Sequence, residues 1–71
     1  MATQKHLFIT GSSTVSWKDA IIQAVAEASK TIDYLTNVKI LDQRASISGK
    51  KLNEYFVDLD LSFTVDRERE D

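Results

Sequence analysis

The sequence predicts an α+β domain ordered β-α-β-β, with one helix packed on one face of a three-stranded antiparallel sheet. Two observations carry most of this. From Trp17 to Leu35 the apolar residues recur at steps of three and four, the period of a helix with one buried stripe. From Leu52 to Val65 the period drops to two, the mark of a strand with two unlike faces. A third observation joins the last elements. Ser48-Gly49-Lys50-Lys51 is a tight turn between two extended runs, so those runs lie antiparallel.

The elements follow in order. His6 to Thr10 reads as a short strand, with Leu7 and Ile9 on one face. Gly11-Ser12-Ser13-Thr14 reads as a turn, and both glycines, Gly11 and Gly49, are assigned to sharp turns. Ser16 and Asp19 have the spacing of a capping box at the start of a helix over residues 17–35. Its stripe is Trp17, Ala20, Ile21, Ala24, Val25, Ala28, Ile32 and Leu35, rich in alanine and so suited to close packing. Asn37 is the expected punctuation after it.

Val38 to Ser48 is the second strand and Leu52 to Val65 the third. On the third, Tyr55, Val57, Leu59, Leu61, Phe63 and Val65 point toward the helix, and Glu54, Phe56, Asp58, Asp60, Ser62 and Thr64 away. Such a strand spans ~46 Å, longer than a small domain needs, so part of it is expected to pair outside the chain. The charged tail, residues 66–71, is expected to fray. A two-residue turn sets Ile40 against Leu59 and Val38 against Leu61 on the helix side. On the other side it sets Lys39 against Asp60, Leu41 against Asp58 and Gln43 against Phe56. That uncovered face then carries Phe56, Leu41, Ala45, Ile47 and Leu52, with Phe8 from the first strand. So much apolar surface reads as a protein–protein contact face, with scattered surface hydrophobes as the plainer alternative.

Length sharpens that expectation. Seventy-one residues form a single domain, 1–71. A chain of this size buries only ~60% of its unfolded surface and usually needs a staple. With no cysteine and one histidine, disulfides and zinc cages are excluded, which leaves self-association as the leading staple, although some domains of this length fold alone. A net charge of −2 argues against a nucleic-acid partner. No run of ~18 apolar residues suggests a membrane span, and the first residues lack a secretory apolar core. A cytoplasmic location is expected.

Chemistry is sparse. Ser12, Ser13 and Ser16 have no histidine base in any recognisable motif, and His6 stands alone. Gly11-Ser12-Ser13 lacks the lysine and glycine spacing of a phosphate loop. Trp17 reads as a core or interface residue. Glu54, Asp58 and Asp60 repeat down one strand face at ~7 Å steps, a candidate row for a hard cation such as calcium, with further oxygens from a symmetry mate. A solvated face with ion pairs to Lys39 is the plainer reading of that row. Nothing points to an enzyme.

In combination these segments resemble the dodecin family. Ile9-Thr10-Gly11-Ser12-Ser13 resembles its first strand end and glycine turn, and Ser16-Trp17-Lys18-Asp19-Ala20 its helix start. Ala24, Ala28 and Thr31 fall where its small helix residues do. Arg44 falls at its arginine after the second strand's apolar run. Tyr55 to Val65, with Leu61-Ser62-Phe63, resembles its long last strand, and the resemblance covers about residues 6–66.

The resemblance implies a hollow homododecamer with helices outside and sheets facing inward, binding flavins in stacked pairs and storing or buffering them. It also implies departures. Where flavin-binding dodecins place the tryptophan that stacks on the ring, this chain has Asn37; where they place a glutamine, it has Phe56. An amide offers no broad π face, and a phenyl ring makes no hydrogen bond to the ring edge. Arg44, which resembles a residue near the flavin phosphate, remains. A calcium-dodecin branch shows a similar loss of the tryptophan. The expectation is therefore a non-enzymatic binding or storage shell made of the chain's own copies, with FMN or riboflavin bound weakly or not at all at Asn37, Arg44 and Phe56. The alternatives are a calcium-binding shell using Glu54, Asp58 and Asp60, and a small protein-interaction module.

Overall fold

A computed structural model describes residues 2–66, and the expectation for the tail lies almost wholly outside them. The elements are β1 (Ala2–Ser13), α1 (Trp17–Ala28), β2 (Leu35–Ser48) and β3 (Lys51–Asp66). The sheet order is β1-β3-β2, with both pairings antiparallel. The predicted fold class stands.

β3 is central, and most of its length is matched on both sides inside the chain. β1 pairs with Tyr55–Asp66 and β2 with Lys51–Phe63, so, among the described residues, 51–54 lack a partner strand on the β1 side and 64–66 lack one on the β2 side. The outside pairing expected from its length is confined on β3 to these two short edges. β1 is also longer than predicted, because β3 offers it a ladder along its whole run. The result is a thin slab, 59 × 19 × 12 Å.

Gly11 is not in a turn. It lies within β1, paired with Val57, directly under the helix. A Cβ built there falls 2.7 Å from the Ala20 carbonyl oxygen and 2.8 Å from the Ala24 Cβ. The residue is small because two backbones meet, while Gly49, with φ of +65°, is the turn glycine.

α1 starts as predicted. The Ser16 side chain accepts from the Asp19 N–H at 3.0 Å. The Asp19 carboxylate does not reach back to complete the box. It accepts from Ser13 Oγ and Gln23 Nε2, each at 2.6 Å, and so ties the helix start to the end of β1. The helix ends at Ala28, seven residues earlier than predicted. Ser29 Oγ donates to the Ala26 carbonyl, and the N–H groups of Thr31 and Ile32 both close on the Ala28 carbonyl. Short polar and β-branched residues in this run favour such local bonds over another turn. Tyr34 then takes a left-handed conformation (φ 63°), and its carbonyl accepts from the Thr64 N–H at 3.2 Å. Leu35 and Asn37 belong to β2, so Asn37 is not a helix stop.

The core is small. Ala20 and Ala24 pack on Val57 and Leu59, with Ile9, Trp17 and Ile21 at the margin, and Ala28 and Leu61 are buried as well. Trp17 stands edge-on to Tyr55, centroids 4.8 Å apart, and its indole N–H donates to the Arg44 carbonyl at 2.9 Å. A twelve-residue helix covers ~18 Å of a sheet whose central strand runs ~53 Å. It lies mainly over β1 and β3. Val38 and Ile40 therefore sit on the helix side of β2 yet remain exposed. No helix among the described residues is long and apolar enough to cross a membrane.

Candidate functional site

The open face of the sheet is built by alternation from the buried residues. Val57, Leu59 and Leu61 face the helix, so Phe56, Asp58, Asp60 and Ser62 face away. Pairing on both sides of β3 completes four rows: Ser12, Phe56 and Arg44; Thr10, Asp58 and Asp42; Phe8, Asp60 and Lys39; His6, Ser62 and Asn37.

Two bulges set this arrangement and correct the predicted register. An extra residue on β3 at Asn53 shifts the pairing by one, and an extra residue on β2 at Leu41 shifts it back. Lys39–Asp60, Ile40–Leu59 and Val38–Leu61 stand as predicted. Between the bulges, Asp58 faces Asp42 instead of Leu41, and Phe56 faces Arg44 instead of Gln43. Ala45 pairs with Tyr55 and so moves to the helix side. The open face is more polar than predicted. Its exposed apolar groups, Phe8 and Leu41, line a shallow depression of about 390 Å³ beside Asp58.

The polar groups form two networks. In the first, Thr10 Oγ1 and Arg44 Nη2 both donate to Asp58 Oδ1, at 2.8 and 2.9 Å. Arg44 Nε lies 3.9 Å from Asp42 Oδ2, and the guanidinium carbon stands 5.8 Å from the centre of the Phe56 ring. Arg44 is thus held between two carboxylates and over an aromatic face. In the second, His6 Nδ1 lies 2.9 Å from Asp60 Oδ1 and 3.5 Å from Ser62 Oγ. Serine, histidine and aspartate meet here, but at one ring nitrogen. A relay needs the nucleophile and the orienting carboxylate on different nitrogens. The cluster is a cross-strand tie between β1 and β3.

The predicted site residues distribute as follows. Arg44 and Phe56 are brought together. Asn37 is six residues away along the sheet, at the row of Ser62, about 20 Å from Phe56 and beyond the reach of one ring system within a chain. Its Oδ1 accepts from the Val38 N–H. In the acidic row, Asp58 and Asp60 are adjacent on one face, but each is engaged by protein donors. Asp60 bonds His6 rather than Lys39, which corrects the expected ion pair. Glu54 is four residues from Asp58, about 13 Å, opposite Ser46. Among the described residues no three metal-ligating side chains converge, so Glu54, Asp58 and Asp60 do not form a cation cage within one chain. Sequence reasoning missed Thr10, Asp42 and His6 as partners in these networks. The regular pairing of β1 with β3 brings in Thr10 and His6, and the bulged pairing of β2 with β3 brings in Asp42.

A family model described as Dodecin matches residues 3–66, nearly the whole chain. The chain belongs to the dodecin family. Solved structures agree. A point mutant of the Thermus thermophilus dodecin is 27% identical with a TM-score of 0.88, over 93% of this chain and 98% of that one. The Streptomyces coelicolor dodecin is 25% identical with a TM-score of 0.87, over 92% and 93%. The calcium dodecin of Mycobacterium tuberculosis is 25% identical with a TM-score of 0.78, over 94% and 96%. No match was found among curated proteins.

Proposed function

We propose that this dodecin is a non-enzymatic binding and storage protein, a cytoplasmic homododecameric shell whose open sheet faces line the interior and hold flat ligands weakly. The observation that supports this most is Phe56 on the open face, with Arg44 over its ring, in a chain that has Asn37 in place of a stacking tryptophan. Phe56 offers a π surface but no hydrogen bond, and Asn37 offers the reverse. Because the two lie about 20 Å apart in one chain, a ligand touching both needs two subunits. Self-association is supported independently by the thin core and by exposed Val38, Ile40 and Leu41 on both sides of β2.

Titration with riboflavin, read by loss of its fluorescence, tests the reading. Little quenching is expected at low micromolar protein, and Asn37→Trp combined with Phe56→Gln is expected to restore it. Stoichiometric quenching by the natural chain, or no gain in the double variant, contradicts the assignment of these two positions.

A second reading has its own support. The Mycobacterium tuberculosis neighbour is described as calcium chelating, and Asp42, Asp58 and Asp60 lie in adjacent rows here. A cation there needs oxygens from another subunit and release of Asp58 from Arg44. Thermal melting in calcium against a chelator decides it: a rise in Tm supports the cation shell, and identical curves remove it.

A further inference from the structure

We infer that Asp58 governs access to Phe56, because its carboxylate holds the Arg44 guanidinium over the ring. This rests on the reading that a flat ligand stacks on Phe56. The geometry has three parts. Arg44 Nη2 donates to Asp58 Oδ1 at 2.9 Å, and its guanidinium carbon stands 5.8 Å from the ring centre. Thr10 donates to the same carboxylate oxygen at 2.8 Å from the other flanking strand, which fixes the carboxylate. The Trp17 indole anchors the Arg44 backbone from the opposite face of the sheet, so the side chain pivots from a fixed base.

A cation over an aromatic ring occupies the face on which a flat ligand would stack. While Asp58 holds it there, a neutral ring must displace it, and a phosphate must compete with a carboxylate already in place. Once released, the guanidinium keeps its charge and its forked donors, which suit a phosphate. Asp58 is therefore a positioning residue that acts through Arg44. It sets both how readily a ring reaches Phe56 and whether a phosphorylated ring is preferred.

Four proteins test this: the natural chain, Asp58→Asn, Arg44→Ala, and both changes together, each titrated with riboflavin and with FMN. The Asp58→Asn change keeps an acceptor for Thr10 and the same side-chain shape while losing the charge. Releasing an exposed cation–π contact and one ion pair predicts that Asp58→Asn binds FMN ~10-fold tighter and riboflavin ~3-fold tighter than the natural chain. Arg44→Ala should bind riboflavin more tightly than the natural chain and show no preference for FMN. The double variant should match Arg44→Ala, because Asp58 has nothing left to act through. Unchanged affinities in Asp58→Asn overturn the inference. So does a gain from Asp58→Asn that persists in the Arg44→Ala background, since that would be simple loss of a negative charge. If none of the four binds either flavin while Asn37→Trp with Phe56→Gln does, access to Phe56 is not the control and the inference falls alone. If that variant also fails to bind, the flat-ligand reading falls with it.

Discussion

Gly11 shows how a single side chain sets the distance between two elements. Its Cα lies so close to α1 that one added carbon meets the Ala20 carbonyl at 2.7 Å. A backbone oxygen cannot swing aside, so Gly11→Ala must lift the helix start from the sheet. Overpacking of this kind costs about 1–3 kcal/mol, and chemical denaturation of the variant should show a loss in that range. An unchanged midpoint would mean the helix is free to shift. The sequence showed that position 11 needed glycine but suggested the wrong reason. A turn and a close approach ask for the same residue, and only the path of β1 distinguishes them. The site residues divide in the same way. Arg44 and Phe56 were legible as chemistry, while Thr10 and His6 became partners through the register of β1 on β3, and Asp42 through one-residue bulges that no side-chain pattern announces.

At the scale of elements, the helix is fastened to the sheet at both sides of its first turn. Asp19 takes hydrogen bonds from Ser13 and Gln23, and Trp17 reaches across β3 to the Arg44 carbonyl. Trp17→Phe keeps most of the edge-on packing against Tyr55 but removes the indole donor. A loss of about 0.5–1.5 kcal/mol is expected from the missing hydrogen bond, with the helix retained by circular dichroism. Loss of the helix signal instead would show that the indole nucleates α1. The period change between α1 and the strands was readable because it is a one-dimensional signal. The end of the helix was not, since Ile32 and Leu35 continue the apolar spacing past the point where Ser29, Thr31 and Tyr34 turn the backbone. Tertiary pairing of Leu35 with Phe63 overrides that spacing.

For the whole molecule, the governing fact is how little it encloses. Among the described residues Val57, Leu59 and Leu61 are its largest fully buried side chains, in a slab 12 Å across its thinnest axis. A short helix shelters one part of one face, while Phe8, Ile40, Leu41, Ile47 and Leu52 stay about half exposed or more. Association would bury them, and the proposed shell calls for twelve copies. Size-exclusion chromatography with light scattering measures this directly. One species near 96 kDa is expected, twelve chains of 8.0 kDa, holding its mass on dilution. A monomer or dimer, at about 8 or 16 kDa, would overturn the shell.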